Sequence, residues 1–257
     1  MRRLIKEIQA QEADPMAVSS PPFGATKPSD VPGNGPIPPL KDGDRLTRDE
    51  FERRYMAMPD LKKAELIEGV VHVPSPVRQR FHGRQHSHFN FWLCASEGST
   101  PGVEVGDNST VRLDLDNMPQ PDCLLFVQPE HGGRVKIAED GYIEGAPDLI
   151  AEVAASSVNL DLGTKLKVYR RNGVREYVVW KVLEREIDWF INRQHGFEPL
   201  LPGADGILRS EVFPGLWLDQ AALMRGDVNA VHAIVQQGLS SREHVDFVAQ
   251  LEKSRIG

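Results

Sequence analysis

An apolar segment that carries two acids, residues 147–153, constrains the fold more than any other part of this 257-residue chain. Its length and aliphatic side chains are typical of a buried β-strand. Alternate residues of a strand share a face, so Asp148, Ile150 and Glu152 are predicted to point the same way. Because an unpaired buried carboxylate is costly, each acid needs a cation, a metal ion or backbone donors as its partner.

A second acid lies at the start of an earlier apolar run, residues 122–128, directly after Pro121. This run also predicts a buried strand, in which Asp122 shares a face with Leu124 and Phe126. Two strands that each present an acid beside apolar neighbours indicate carboxylates that meet around a common partner.

A helix predicted over residues 161–172, which ends at Gly173, supplies a cation for these acids. At 100° per residue, its apolar arc contains Leu162, Leu166, Val168 and Tyr169. Lys165 falls inside that arc, and a lysine on a packed face needs an anion. Two plainer alternatives stay open: a structural ion pair with Asp148 or Glu152, or a side chain that reaches the helix edge.

The strands are mostly consecutive, with helices before and within the set, which predicts an α/β fold of the α+β kind. Its expected core is a mixed central β-sheet flanked by helices. The other predicted elements are a helix at residues 47–57, a hairpin at 65–73, a helix at 77–97, strands at 103–107 and 111–116, and a hairpin at 176–192. The predicted divisions are a tail at residues 1–45, a domain at 46–219 and a helical extension at 220–257.

The two ends of the chain have different compositions. The N-terminal tail is rich in Pro and Gly and poor in large apolar residues, so we expect either a disordered linker or a polyproline segment for a partner. The C-terminal helices are expected either to cap the domain or to form an interface. The chain start lacks the continuous apolar core of a signal peptide, and no apolar run reaches the roughly 20 residues that span a membrane.

The formal net charge of −7 gives no global attraction to nucleic acid, so such a partner requires a local basic patch. Lys167, Arg170 and Arg171 form one, although a solvated helix face is the alternative explanation. The two cysteines, Cys94 and Cys123, lie in apolar runs and are predicted to be buried free thiols, which favours a cytoplasmic location.

Several short motifs follow one another in an order that resembles a known family. They are Glu65-Leu66-Ile67-Glu68-Gly69, His82, Pro121-Asp122, residues 147–153, Ser156, residues 161–169, residues 173–177 and residues 213–216. Together they resemble the PD-(D/E)xK nucleases, and more specifically the Uma-type restriction endonucleases, a family common in bacteria. The resemblance spans residues 46–219 and implies a restriction endonuclease-like core.

The resemblance also implies a catalytic set. Asp122 and Glu152 would be metal ligands, and Lys165 would take the place of the superfamily's usual lysine, which falls at Ala154 in this chain. The position of Lys165 on the packed face of its helix independently favours it over Lys167. The supporting residues would be Glu65, Asp148 and His82. His82 and His86 lie one helical turn apart, but no Glu follows His82, so the zinc-protease motif is absent.

The implied activity is metal-dependent hydrolysis of phosphodiester bonds in DNA. Oxygen ligands beside a phosphate suit Mg²⁺, or Mn²⁺ in its place. The basic patch of Lys167, Arg170 and Arg171 would contact phosphates, and a homodimer is expected because restriction enzymes commonly cut both strands as dimers. Two alternatives remain: a non-catalytic member of the same fold that binds nucleic acid or a protein, and an unrelated structural protein whose acids form ordinary ion pairs.

Overall fold

The computed structural model describes residues 36–255. The start of the chain and most of the predicted tail, residues 1–35, lie outside the described residues, as do residues 256–257. The structure differs from the predicted tail at residues 40–45, which pack on the domain. Leu40 is buried, and the Gly43 N–H donates a hydrogen bond of 2.8 Å to the carbonyl oxygen of Val71.

The largest sheet within residues 36–255 has six strands, which in chain order are β3 (Val103–Asp107), β5 (Cys123–Val127), β8 (Leu149–Ala154), β9 (Glu176–Lys181), β10 (Glu186–Arg193) and β11 (Gly196–Pro199). Their order across the sheet is β11-β10-β9-β8-β5-β3. β8 and β9 are parallel, and the other neighbouring pairs are antiparallel. The predicted mixed sheet is therefore confirmed.

Smaller sheets surround this one. They are formed by β1 (Glu65–Ile67) with β2 (Val70–His72), by β4 (Val111–Arg112), β6 (Lys136–Ile137) and β7 (Ile143–Glu144), and by β12 (Ile207–Arg209) with β13 (Trp217–Asp219). The predicted hairpin turn falls at Glu68 and Gly69, both of which have positive φ. The predicted strand at residues 111–116 is shorter than expected, because Asp114 turns the chain and accepts hydrogen bonds from the Asp116 N–H and the Asn117 side chain.

The α-helices are α1 (Arg48–Met56), α2 (Arg84–Glu97), α3 (Leu166–Arg171), α4 (Gln220–Arg225), α5 (Val228–Leu239) and α6 (Arg242–Lys253). Thr47 caps α1 through the Glu50 N–H, as its sequence predicts. Two of the helices, α2 and α3, are each preceded by a π-helical turn, Gln79–Gly83 and Leu160–Lys165. A one-turn 3₁₀-helix, Pro129–His131, follows β5.

The two faces of the large sheet bury different cores. On one face, Leu149, Ala151 and Val153 of β8 pack with Trp92 of α2 and Trp189 of β10. On the other face, the core contains Leu124, Phe126, Ile150, Val168, Tyr169 and Tyr177. The alternation predicted for β8 is thus observed, and the carboxylates of the strand face the side on which α3 packs.

The C-terminal helices belong to the first of these cores. Leu223 of α4 and Val231 and Val235 of α5 are buried there together with Trp92. The helices predicted at residues 220–257 therefore cap the domain. None of the helices within residues 36–255 is long and apolar enough to cross a membrane. Cys123 is buried as predicted, but Cys94 is exposed, because it lies on the outer side of α2.

Candidate active site

Strand pairing brings Asp122 and Glu152 together. β5 and β8 are antiparallel with Cys123 opposite Ala151, which sets Asp122 opposite Glu152 at the end of the pair. The Asp122 N–H lies 3.3 Å from Glu152 Oε2, and the Val153 N–H donates to Asp122 Oδ2 at 2.9 Å. Both carboxylates are buried, so the two acids that the motifs selected occupy one site inside the fold.

Lys165 projects from the π-helical turn before α3 into the same site. Its Nζ lies 2.9 Å from Glu152 Oε1, 2.9 Å from Glu65 Oε1 and 3.5 Å from Asp161 Oδ1. The Tyr169 hydroxyl also donates to Glu152 Oε1, at 2.9 Å. The side chain of Lys165 is 3% exposed, so its charge is balanced inside the protein and not by solvent.

Glu65 reaches the site from the first hairpin. Leu66 of β1 pairs with Met118 across an isolated bridge, which holds the hairpin against the chain leading into β5. The Gln120 N–H donates to Glu65 Oε1 at 2.8 Å. A short strand from a separate hairpin thus contributes a third carboxylate to the same lysine.

The Asp122 side chain is held from the other side by two basic groups. Lys63 Nζ lies 2.9 Å from Oδ1, and His82 Nε2 lies 3.0 Å from Oδ2. His82 comes from the π-helical turn before α2, and its Nδ1 is buried without a hydrogen-bond partner among the described residues. His86, one turn later, contacts the Asp122 carbonyl oxygen and the Asp107 carboxylate, at 3.0 and 2.7 Å.

Four carboxylates and two ammonium groups make up this acidic cluster: Glu65, Asp122, Glu152, Asp161, Lys63 and Lys165. Two of these acids have raised pKa values. Burial raises the pKa of Glu152 to about 7, and the charge of Lys165 offsets this only in part. Burial raises the pKa of Asp161 as well.

The other two acids are held ionised. Burial disfavours the charge of Asp122, but the hydrogen bond from His82 and the charge of Lys63 outweigh it and lower the pKa of Asp122 below its usual range. Burial also opposes ionisation of Glu65, and Lys165 and Lys63 reverse this and lower its pKa. Burial would lower the pKa of Lys165, yet its carboxylate neighbours raise that pKa well above the ordinary value.

Asp148 lies apart from the acidic cluster. Its Oδ1 is 3.1 Å from the guanidinium of Arg134 and 3.6 Å from that of Arg175, while its Oδ2 accepts a hydrogen bond from the Val127 N–H at 3.0 Å. The strand alternation of Asp148 with Glu152 is correct, but four residues of extended chain separate the two acids by about 13 Å. Asp148 therefore anchors β8 to neighbouring segments.

The predicted basic patch on α3 is exposed. Arg171 is paired with Glu68 and with Asp114, so its charge is already balanced within the protein. Arg170 donates to the carbonyl oxygen of His195 at 3.1 Å. Lys167 is exposed on the same helix, opposite the buried Lys165.

Sequence reasoning overlooked Lys63, Asp161 and Tyr169 as members of the site. Asp161 and Tyr169 stand four residues before and after Lys165, so helical spacing alone places them beside it. Lys63 lies two residues before Glu65 in extended chain and therefore shares its side. The sequence alone contains all three spacings. Lys63 was nevertheless overlooked, because the polar pair Lys62-Lys63 resembles an ordinary solvated loop.

The acidic cluster fits a divalent metal ion in donor chemistry and in charge. Hard cations prefer carboxylate oxygens, and a buried group of four acids with two ammonium groups retains negative charge to be balanced. No three His, Cys, Asp or Glu side chains within residues 36–255 form a ready metal cage. Mg²⁺ commonly uses only one or two carboxylates together with water and substrate phosphate, so Asp122 and Glu152 would suffice.

A mixed six-stranded sheet flanked by helices is the architecture expected of a restriction endonuclease-like protein. A sequence profile of the Uma2 family, described as "Putative restriction endonuclease", matches residues 48–221, and the chain belongs to that family. A solved structure described as a putative nuclease of DUF820 from Anabaena variabilis is 13% identical; the match covers 71% of this chain and 97% of that one, with a TM-score of 0.49. No curated protein matches the sequence.

Proposed function

We propose that the protein is an endonuclease that hydrolyses phosphodiester bonds in DNA with Mg²⁺ or Mn²⁺ held by Asp122 and Glu152. The observation that carries this proposal is the meeting of these two buried carboxylates, from adjacent strands, beside Lys165. Membership of a restriction endonuclease family supports the same reaction class.

The bound metal would polarise the scissile phosphate and lower the pKa of a coordinated water. The protein's own groups position the reaction. Lys165 keeps Glu152 and Glu65 oriented through its two contacts of 2.9 Å, and its charge favours negative charge developing nearby. His82 fixes Asp122 Oδ2 and is partly exposed, so it stands between the cluster and solvent.

Substrate phosphates require cations at the protein surface, and two segments offer them. The patch of Lys167, Arg170 and Arg171 is one. The other is the segment that leads into His82, where Arg78 and Arg80 are exposed together with the ring of Phe81. We favour this second segment for the phosphates nearest the reaction, because His82 in the same π-helical turn contacts Asp122.

Plasmid cleavage tests the proposed function. We expect the wild type to nick supercoiled DNA with Mg²⁺ or Mn²⁺ and not with EDTA, and Glu152→Gln to lower the rate by at least about 100-fold because a metal ligand is lost. Glu184 is an exposed acid outside the site, so Glu184→Gln is the matched control and should cleave DNA as the wild type does. Cleavage that persists in Glu152→Gln would point to a contaminating nuclease and refute the assignment.

A non-catalytic binding protein of the same fold is the second candidate. It is favoured by the hydrogen bonds that both carboxylates already accept from the protein. DNA binding without cleavage by the wild type, under all metal conditions, would favour this second candidate.

We further propose that the protein forms a homodimer, which light scattering after size exclusion would measure. We also propose a reducing cytoplasm as its compartment, because Cys94 and Cys123 are free thiols.

A further inference from the structure

The oxygens of Asp122 that a metal would bind already have partners. Lys63 donates to Oδ1 at 2.9 Å, while His82 and the Val153 N–H lie 3.0 and 2.9 Å from Oδ2. Oδ1 has a single donor, the Lys63 ammonium, so a metal ion at this oxygen would meet that positive charge at the same atom.

Glu152 has partners at both oxygens too. Lys165 and Tyr169 donate to Oε1 at 2.9 Å each, and the Asp122 N–H lies 3.3 Å from Oε2. These donors are fixed, since Lys165 and Tyr169 are buried and the N–H belongs to the backbone at the start of β5. A metal ion at Glu152 would therefore use Oε2, whose single partner is the 3.3 Å contact with the Asp122 N–H, and no donor of Glu152 has to leave.

Two donors of the cluster do have a route to solvent. The side chains of Lys63 and His82 are 21% and 23% exposed, whereas that of Lys165 is 3% exposed. Of the two, Lys63 carries a full charge on a flexible four-carbon stem and comes from extended chain before β1. Lys63 is therefore the cation that can leave Asp122 without disturbing a helix or a sheet.

We propose that the Lys63 ammonium occupies the cation position at Asp122, and that a divalent metal ion binds by displacing it, a step that rests on the proposed metal-dependent function. The exchange replaces one positive charge by two in a cluster where four carboxylates face two ammonium groups. The released ammonium stays beside the site, where it can contact a phosphate of the substrate.

Acetylation of lysines, read residue by residue by mass spectrometry, tests the exchange on the wild-type protein. An amine held by a buried carboxylate reacts slowly. We therefore expect Mg²⁺ to raise the acetylation rate of Lys63 about threefold or more, because metal binding would release its amine from Asp122. Lys62, its exposed neighbour, is the internal control and should not change. A Lys63 rate that stays constant or falls when Mg²⁺ binds would overturn the proposal.

Calorimetric titration with Mn²⁺ provides the second measurement. Lys63→Met removes the competing cation and should bind Mn²⁺ about tenfold more tightly, whereas Lys62→Met should match the wild type. Lys63→Arg keeps a cation and should bind no more tightly than the wild type, which separates the loss of the charge from an effect of substitution at this position. Equal affinity in Lys63→Met and the wild type, with binding lost in Glu152→Gln, would overturn the exchange alone. Absence of Mn²⁺ binding in every variant would overturn both the exchange and the proposed function.

Discussion

Glu176 shows what a buried carboxylate requires when no ammonium group is near. Its Oε1 accepts hydrogen bonds from the N–H groups of Glu211 and Val212, at 2.8 and 3.0 Å. Its Oε2 accepts from the Ser210 hydroxyl at 2.8 Å and the Trp189 indole at 3.2 Å. Burial nevertheless prevails over these four donors and raises the pKa of Glu176 to about 7.

This shift predicts a pH dependence of stability. The folded protein binds a proton at Glu176 up to about pH 7, while the unfolded chain releases it near the ordinary value of 4.5. Stability therefore falls as pH rises through this window, by at most about 1.4 kcal/mol per pH unit. Glu176→Gln removes this titration, so we expect the stability advantage of the wild type over the variant to shrink as pH rises from 4.5 to about 7.

Urea denaturation of both proteins at several pH values measures this difference. Because Glu152 titrates in both proteins, its contribution cancels in the difference between their free energies of unfolding. The difference therefore isolates the contribution of Glu176. Glu184→Gln, an exposed substitution, should follow the wild type at every pH. A difference between the wild type and Glu176→Gln that is constant with pH would contradict the prediction.

At the scale of elements, the two basic segments make different predictions for DNA binding. Each phosphate contact contributes about 0.9 to the slope of log affinity against log salt. We expect the double variant Arg78→Gln and Arg80→Gln to reduce that slope by about 2, and Lys167→Gln with Arg170→Gln to reduce it less. Fluorescence anisotropy of labelled duplex DNA in EDTA, where the proposed metal-dependent cleavage is not expected, provides the measurement.

A charge-matched control separates local contacts from a change in net charge. Arg242 and Lys253 are exposed on α6, and replacing both by Gln removes the same two charges. This pair should leave the slope unchanged. A larger reduction of the slope in the α3 double variant than in the Arg78 and Arg80 double variant would mean that the phosphates bind at α3.

The two strands that bring Asp122 and Glu152 together were predictable, and the reasons are physical. The strands of Asp122 and Glu152 are long, apolar and bounded by Pro-Asp pairs, so local sequence determines them. The two-residue strands β6 and β7 have no periodicity to read, because long-range pairing alone defines them. The two π-helical turns also have no distinct signal, since the same apolar spacing fits an ordinary helix.

At the scale of the whole molecule, one core joins segments from distant parts of the sequence. The Trp92 indole N–H of α2 donates to the carbonyl oxygen of Trp217 at 2.9 Å, 125 positions later in the chain. α5 packs beside both α2 and β13. Of the two alternatives for the C-terminal helices, the cap on the domain is the one observed, because their apolar residues are buried in this core.

The shared core predicts that C-terminal substitutions affect the whole protein. Leu223 of α4 is 2% exposed, so Leu223→Ala should lower the free energy of unfolding by about 2–5 kcal/mol through lost burial and a cavity. Leu201→Ala, at a 77% exposed position, should cost less than about 0.5 kcal/mol. Both values come from denaturant unfolding followed by far-UV circular dichroism. Similar costs for the two variants would mean that the C-terminal helices do not stabilise the domain.

His82 and Lys165, which contact the acidic cluster from opposite sides, both come from π-helical turns. Such a turn accommodates one residue more than an α-helical turn, and each added residue rotates the following side chains by about 100°. Chain length within these two turns is thus as important as residue identity. Deleting Gly83 or Gly163 would leave all the side chains of the site in the protein. The deletion would still turn His82 away from Asp122, or Lys165 away from Glu152, and we expect the plasmid assay to show lost cleavage.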